Sequence, residues 1–204
     1  MKQDTDYKKR ELLIMAAKEE FLEKGYNKAS LRSICSKAGV TTGALYFFFE
    51  NKADLFSAIV DGPIEEIKGL IVEHFRDDMA YLSTLKSKDD IDMEHEEVSN
   101  RLVECIYRNY DSVMLLLTGA ENTVYENIVD DFVALMAKMV PPMISSMQGY
   151  ECDEFMSHWM SHMTIDAYIH VIVHVKEEEE AKRKLKDITN YIVRGWVELA
   201  MVKK

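Results

Sequence analysis

The sequence predicts an all-α protein, with a small N-terminal helix-turn-helix module ahead of a larger helical body. Three observations carry this. Eight Gly and three Pro in 204 residues are too few for the turns of a β-sandwich or barrel, which come about every ten residues. Apolar residues recur at helical spacing through most of the chain. Two short helical patterns between Ser30 and Phe49 are separated by a tight, glycine-containing turn, the arrangement of a helix-turn-helix. At 48% hydrophobic and 30% charged residues, the chain has enough apolar surface to fold and is not disordered.

The elements follow in order. From Tyr7 to Lys24 there is no Gly or Pro, and Leu13, Ala17 and Phe21 recur at i, i+4 and i+8. This predicts an amphipathic helix, stopped at Gly25. Ser30 reads as the N-cap of a short helix carrying Leu31, Ile34 and Cys35 inward and ended by Gly39. Thr41 reads as a second N-cap, ahead of Gly43 to Phe49. Lys52 starts a further helix through Leu55, Phe56, Ile59 and Val60. Beyond Gly62-Pro63, one stripe runs through Ile64, Ile67, Ile71, Phe75 and Met79. Ser83 to Asp92 reads as a loop, and a helix resumes near Glu94 with Val98, Leu102, Cys105 and Ile106 inward. Asn109-Tyr110-Asp111 breaks it before Val113 to Leu117. A helix from about Tyr125 is expected to kink or end at Pro141-Pro142, and Gly149 closes that region. The last two helices are expected over Asp153 to Val175 and Glu177 to Val202. In the second, Glu178, Glu179 and Glu180 stand four residues before Lys182, Arg183 and Lys184, the favourable orientation for ion pairs. Gly195 lies within that helix, where it costs stability relative to Ala, so a close helix approach is expected there.

Charge and composition narrow the function. The net charge is −11, but it is unevenly spread. Residues 1–52 hold ten Lys/Arg against seven Asp/Glu, and residues 53–204 hold fifteen against twenty-nine. A basic module on an acidic body is the pattern. No apolar run reaches the length of a membrane span, and the N-terminus lacks the apolar stretch of a signal peptide. Cys35, Cys105 and Cys152 are odd in number and irregularly spaced, which favours neither a disulfide framework nor a zinc ribbon. A reducing cytoplasm is the expected location.

Residues from about Ala16 to Leu55 resemble the DNA-binding domain of the TetR family of bacterial transcriptional regulators. The matching residues are Ala17, Phe21, Gly25-Tyr26, Ser30-Leu31, Ile34, Ala38-Gly39-Val40-Thr41, Gly43, Leu45-Tyr46, Phe49, Lys52 and Leu55. The resemblance implies a DNA-binding domain over residues 1–52 and a helical ligand-binding and dimerisation domain over residues 53–204. It places Thr42, Ala44 and Phe47 where the family meets base edges or sugars, and Tyr46 and Lys52 where it contacts phosphate. Ser30, Arg32 and Lys37 are candidates from the helix before the turn. Thr41 caps the recognition helix, and Gly43 lets that helix approach the duplex. Two residues depart from the pattern. Cys35 replaces a small alanine and reads as a buried, inert thiol. Phe48 stands where His or Tyr is common, which removes a donor to phosphate. The recognition helix offers no Arg, Asn or Gln for a bidentate base contact, so readout leans on DNA shape and apolar contact.

The body invites further expectations. By the resemblance, the two C-terminal helices of each subunit form a four-helix homodimer interface, for which Leu185, Ile188, Ile192 and Leu199 supply an apolar seam. His158, His162, Asp166, His170 and His174 fall at successive i+4 positions. They read as a polar ridge and not as a metal site, because each i+4 step drifts by about 40° around the helix. The thirteen Met serve either as core or as an adaptable lining for an apolar or amphipathic effector. Phe75, Met114, Phe132, Met136, Trp159 and Met163 are the candidate lining. The excess of acid favours neutral or cationic ligands, or keeps the body off DNA. No nucleophile elbow, phosphate-cradling loop or closed ligand set points to an enzyme or a cofactor. The expected function is a ligand-responsive DNA-binding regulator, a repressor released from its operator by a small molecule. The alternative is a helical protein that binds a small molecule or metal and whose N-terminal module does not bind DNA.

Overall fold

The computed structural model describes residues 2–92 and 96–204, and the side chains of all of these except 2–4, 96 and 98. The chain is all-α in class and forms two compact units, Met1–Glu65 with Asn109–Ile128, and Glu66–Arg108 with Val129–Lys204.

The first unit contains α1 (Lys2–Lys28), α2 (Leu31–Ala38), α3 (Thr42–Phe48) and the start of α4 (Lys52–Leu82). The stripe expected on α1 is its buried face, with Leu13, Ala17 and Phe21 fully buried. Gly25 has φ +71° and ψ 164°, a conformation that a side chain would strain, and the helical path breaks there. Phe21, Tyr26 and Phe56 pack with ring centroids 5.2–5.9 Å apart, which fastens α1 to α4.

Three later helices precede the C-terminal pair. α5 (Glu96–Arg108), α6 (Tyr110–Gly119) and α7 (Ile128–Ser145) follow a short 3₁₀ turn at Lys88–Asp90. The helix start expected near Glu94 lies outside the described residues, as does the side chain of Val98. α6 packs on α1 within the first unit, at Gly119. A Cβ there would lie 2.9 Å from Leu115 Cδ1 and 3.7 Å from the Phe21 carbonyl oxygen.

The start of α7 and the end of the last α-helix differ from expectation. α7 begins at Ile128 and not near Tyr125, because Tyr125 is drawn into the first unit, where its hydroxyl donates to Asp61 and hydrogen-bonds Ser57. Pro141-Pro142 do not end α7, which continues to Ser145. They remove the donors that would meet the carbonyls of Ala137 and Lys138, but they fall in its final turns, where little helix follows them.

The second unit is completed by β1 (Tyr150–Cys152), α8 (Glu154–His174), α9 (Glu178–Gly195) and β2 (Met201–Lys203). α9 stops at Gly195 and does not reach Val202, as the sequence suggested. A π turn over Trp196–Ala200 leads into β2, which pairs antiparallel with β1, Cys152 opposite Met201. Burial explains the change of path. Val197, Ala200 and Met201 join Phe75, Met136, Val140, Ile144, Met147 and Tyr150 in one apolar cluster. Gly195 does mark a close approach: a Cβ there would lie 3.1 Å from Met160 Cε. The expected pairs on α9 form between Glu178 and Lys182 at 2.8 Å and between Glu180 and Lys184 at 3.3 Å.

The apolar seam requires correction. Leu185 and Ile192 are buried within the single chain, and Leu185 packs with Val103, Val171, Val175 and Ala181. Neither is free to meet a second copy. The outward apolar residues of α8 and α9 are Phe155, Trp159, Val173 and Tyr191, with Leu199 and Val202 beyond Gly195.

Candidate nucleic-acid interface

The caps expected from the sequence set the helix-turn-helix. Ser30 Oγ accepts from the Ser33 N–H at 3.4 Å, and Thr41 Oγ1 accepts from the Ala44 N–H at 3.2 Å. Between them Gly39 adopts φ +67° and ψ 28°, the left-handed cap that ends α2. Ile34, Cys35, Ala38, Leu45 and Phe49 point inward and are buried. That orientation leaves Thr42, Gly43, Tyr46 and Phe47 exposed on the opposite face of α3, with Ala44 half-buried beside them. Phe47 is 74% exposed, and its ring meets Phe48 edge-on at 4.9 Å. Burial pushes the Cys35 thiol above its ordinary pKa, which fits an unreactive core residue.

Gly43 has no packing reason of its own. A Cβ at that position would meet nothing closer than Thr41 Oγ1 at 3.9 Å. A glycine that weakens an exposed helix without relieving any internal crowding leaves room for an external surface.

The basic residues are not equivalent. Arg32 is exposed on α2. Lys37 Nζ lies 3.1 Å from Glu20 Oε2 and 3.3 Å from Glu23 Oε2. Lys52 Nζ donates to the carbonyls of Ala29 at 3.0 Å and Asn27 at 3.2 Å, and stands 4.7 Å from the centre of the Tyr26 ring. Burial lowers its pKa. Lys52 therefore ties the start of α4 to the segment between α1 and α2, and one ammonium donor remains for a phosphate.

Glu20 is a residue that sequence reasoning missed. Its side chain is fully buried, and it receives Lys24 Nζ at 2.7 Å, Ser33 Oγ at 2.9 Å, Lys37 Nζ at 3.1 Å and the Ser30 N–H at 3.4 Å. The Lys24 bond foremost, then those from Ser33, Lys37 and Ser30, holds its pKa down at about 2 against the opposing effect of burial. The signal was present: Glu20 lies seven residues after Leu13, on the same stripe as Phe21.

The candidate effector residues do not form one group. Phe75 and Met136 share the apolar cluster of the second unit, whereas Met114 belongs to the first unit. Phe132 and Met163 are half-buried, and Trp159 is exposed. On α8, the rings of His158 and His162 meet edge-on at 4.8 Å, and those of His170 and His174 stack at 4.4 Å. Among the described residues, no group of three or more His, Cys, Asp or Glu could hold a metal ion, and no helix is long and apolar enough to cross a membrane.

Comparison with known proteins identifies the module. The family model described as bacterial regulatory proteins, tetR family, matches residues 13–59. The HTH-type transcriptional repressor BepR of Brucella suis biovar 1 is 48% identical over 61 residues, which is 28% of this chain and 29% of that protein. The fatty acid metabolism regulator protein of Bacillus subtilis is 32% identical over 76 residues, 37% of each chain. The chain thus matches less than two-fifths of the length of either relative. A transcriptional regulator of the TerR/AcrR family from Aquifex aeolicus has the same fold, with a TM-score of 0.64 at 23% identity, over 90% of this chain and 99% of that one. The capped helix-turn-helix with its exposed α3 face lies within the residues that match the model of the tetR family of bacterial regulatory proteins, and it resembles the corresponding segments of these regulators.

Proposed function

We propose that the protein is a homodimeric, ligand-responsive transcriptional repressor that binds operator DNA through residues 1–52 and its effector and partner subunit through residues 53–204. The observation that carries this is the outward face of α3, where Thr42, Gly43, Tyr46 and Phe47 are exposed on a rigidly capped helix. A helix of this kind enters the major groove, and two copies on a two-fold axis match the half-sites of a palindrome. Ser30, Arg32, Thr41 and Lys52 serve as further contacts to DNA, and Tyr46 supplies a hydroxyl for phosphate. Repression is the activity named for the Brucella relative. The protein works in the cytoplasm, where the chromosome is, and catalyses no reaction.

The effector is an apolar or amphipathic small molecule held in the body, with Phe75 and Met136 the nearest to a common lining and Phe132, Trp159 and Met163 as further candidates. It acts by linkage. A ligand that prefers the conformation unable to span two half-sites weakens operator binding, and operator weakens ligand binding by the same factor.

An electrophoretic shift assay on DNA flanking the protein's own gene tests the proposal. A retarded band that resists competing random DNA is expected. Absence of any sequence-preferring complex at micromolar protein and low salt rejects it.

A further inference from the structure

We propose that α3 reads thymine through its 5-methyl group, with Phe47 as the residue that sets the preference. The inference rests on the DNA-binding function proposed above and specifies what that surface recognises. The stretch Thr41 to Phe49 contains no Arg, Lys, Asn, Gln, Asp or Glu. It therefore lacks the side chains that make bidentate contacts to guanine or adenine and those that accept from cytosine. What it presents instead is a ring, a methyl-bearing pair and a gap. Phe47 is 74% exposed, an apolar surface with nothing in its own unit to justify leaving it in water. Its ring meets Phe48 edge-on at 4.9 Å and projects from the helix. Gly43 precedes it by four residues and Ala44 by three, which puts both on its side of the helix. At Gly43 an added Cβ would find only Thr41 Oγ1 at 3.9 Å, so the space over that position is open.

In the major groove the thymine methyl is the apolar feature that distinguishes one base pair from the other three arrangements. The exposed Phe47 ring, with Ala44 and the open space over Gly43 on its side of the helix, leaves room for such a group. The hydroxyl of Tyr46 can then serve phosphate or sugar, which positions the protein without specifying sequence. Charge complementarity favours DNA over an apolar protein partner as the occupant. Residues 1–52 carry ten Lys/Arg against seven Asp/Glu, and Arg32 is exposed on the adjoining helix α2.

The test selects bound duplexes from a randomised pool with the full-length protein, then resynthesises the preferred site with dU replacing each dT in turn. Deoxyuridine removes only the methyl group. Burial of one methyl predicts about a fourfold loss of affinity at the positions read. Phe47→Ala should bind dT and dU versions equally, whereas Phe47→Leu should keep part of the difference. Both variants should match the parent in circular dichroism and melting, because the ring is exposed. A site whose affinity is unchanged by dU at every position overturns the inference and leaves the DNA-binding function standing. The inference also fails if Phe47→Ala retains the full dU penalty. Failure to select any sequence overturns the DNA-binding function itself.

Discussion

The Glu20 carboxylate stands 3.1 Å from the Lys37 ammonium and has no surface in contact with solvent. Together with Lys24, Ser33 and the Ser30 N–H, this contact locks α2 onto α1 from the buried side. The helix-turn-helix is therefore anchored at both ends of α2, by the Ser30 cap and by Lys37. The acid that does so is inside the module and not on its surface.

Stability should depend on this carboxylate in a defined pH window. Its folded pKa, at about 2, lies below the ordinary 4.5, so its contribution is present above pH 4.5 and is lost as the pH falls from there toward 2. Glu20→Gln should unfold more easily than the parent at pH 7, by about 1–3 kcal/mol, with the difference shrinking through that window. Urea unfolding of both proteins between pH 7 and 3 measures it. A pH-independent difference rejects the assignment.

Lys37 should be a poor phosphate contact despite its place beside the turn. Its charge is already matched by Glu20 and Glu23. Arg32→Ala should flatten the dependence of log affinity on log salt by about 0.9, the value for one phosphate, and Lys37→Ala by clearly less. Titrations with a fluorescent operator duplex between 50 and 200 mM salt compare them.

Gly43→Ala should separate stability from function. Space for the added Cβ exists in the free chain, and Ala favours the helix by up to about 1 kcal/mol. The variant should melt higher than the parent and bind DNA more weakly. Tighter binding by the more stable variant would mean that no duplex approaches this position.

Lys52→Ala should cost the fold as well as binding. Two carbonyl bonds and the Tyr26 ring lose their cation, a loss of about 1–2 kcal/mol. Unchanged melting with weakened DNA affinity would assign Lys52 to phosphate alone.

Dimerisation should respond to the outward apolar residues of the C-terminal helices and not to the seam suggested by periodicity. Phe155→Glu and Tyr191→Asp, both at positions more than 70% exposed, should give monomers of unchanged helicity in sedimentation velocity. Leu185→Ala should instead lower stability by about 2–5 kcal/mol. A parent protein that is monomeric at micromolar concentration removes the dimer from the proposal.

What the amino-acid sequence determined by itself was local. The caps at Ser30 and Thr41, the left-handed glycines at 25 and 39, and the stripe Leu13-Ala17-Phe21 each depend on residues within about four positions, so neighbours in sequence suffice to decide them. The outward set on α3 came from the family resemblance and not from periodicity, and burial of Leu45 and Phe49 leaves Thr42, Tyr46 and Phe47 exposed. Partners distant in sequence were decided only by the tertiary structure. An apolar stripe states that a face is buried and is silent about whether the chain or a second copy buries it, which is why Leu185 and Ile192 read as a dimer seam and proved to be core. Helical periodicity continued past Gly195, but burying Val197, Ala200 and Met201 against Met147 and Tyr150 turned the chain into a π turn and a strand. The burial of Glu20 and the internal bonds of Lys52 were not legible in the sequence, because solvation ordinarily keeps charged side chains at the surface. Only the fold brings Ser33 and Lys37 to the one, and the carbonyls of Asn27 and Ala29 to the other, to replace the water they give up.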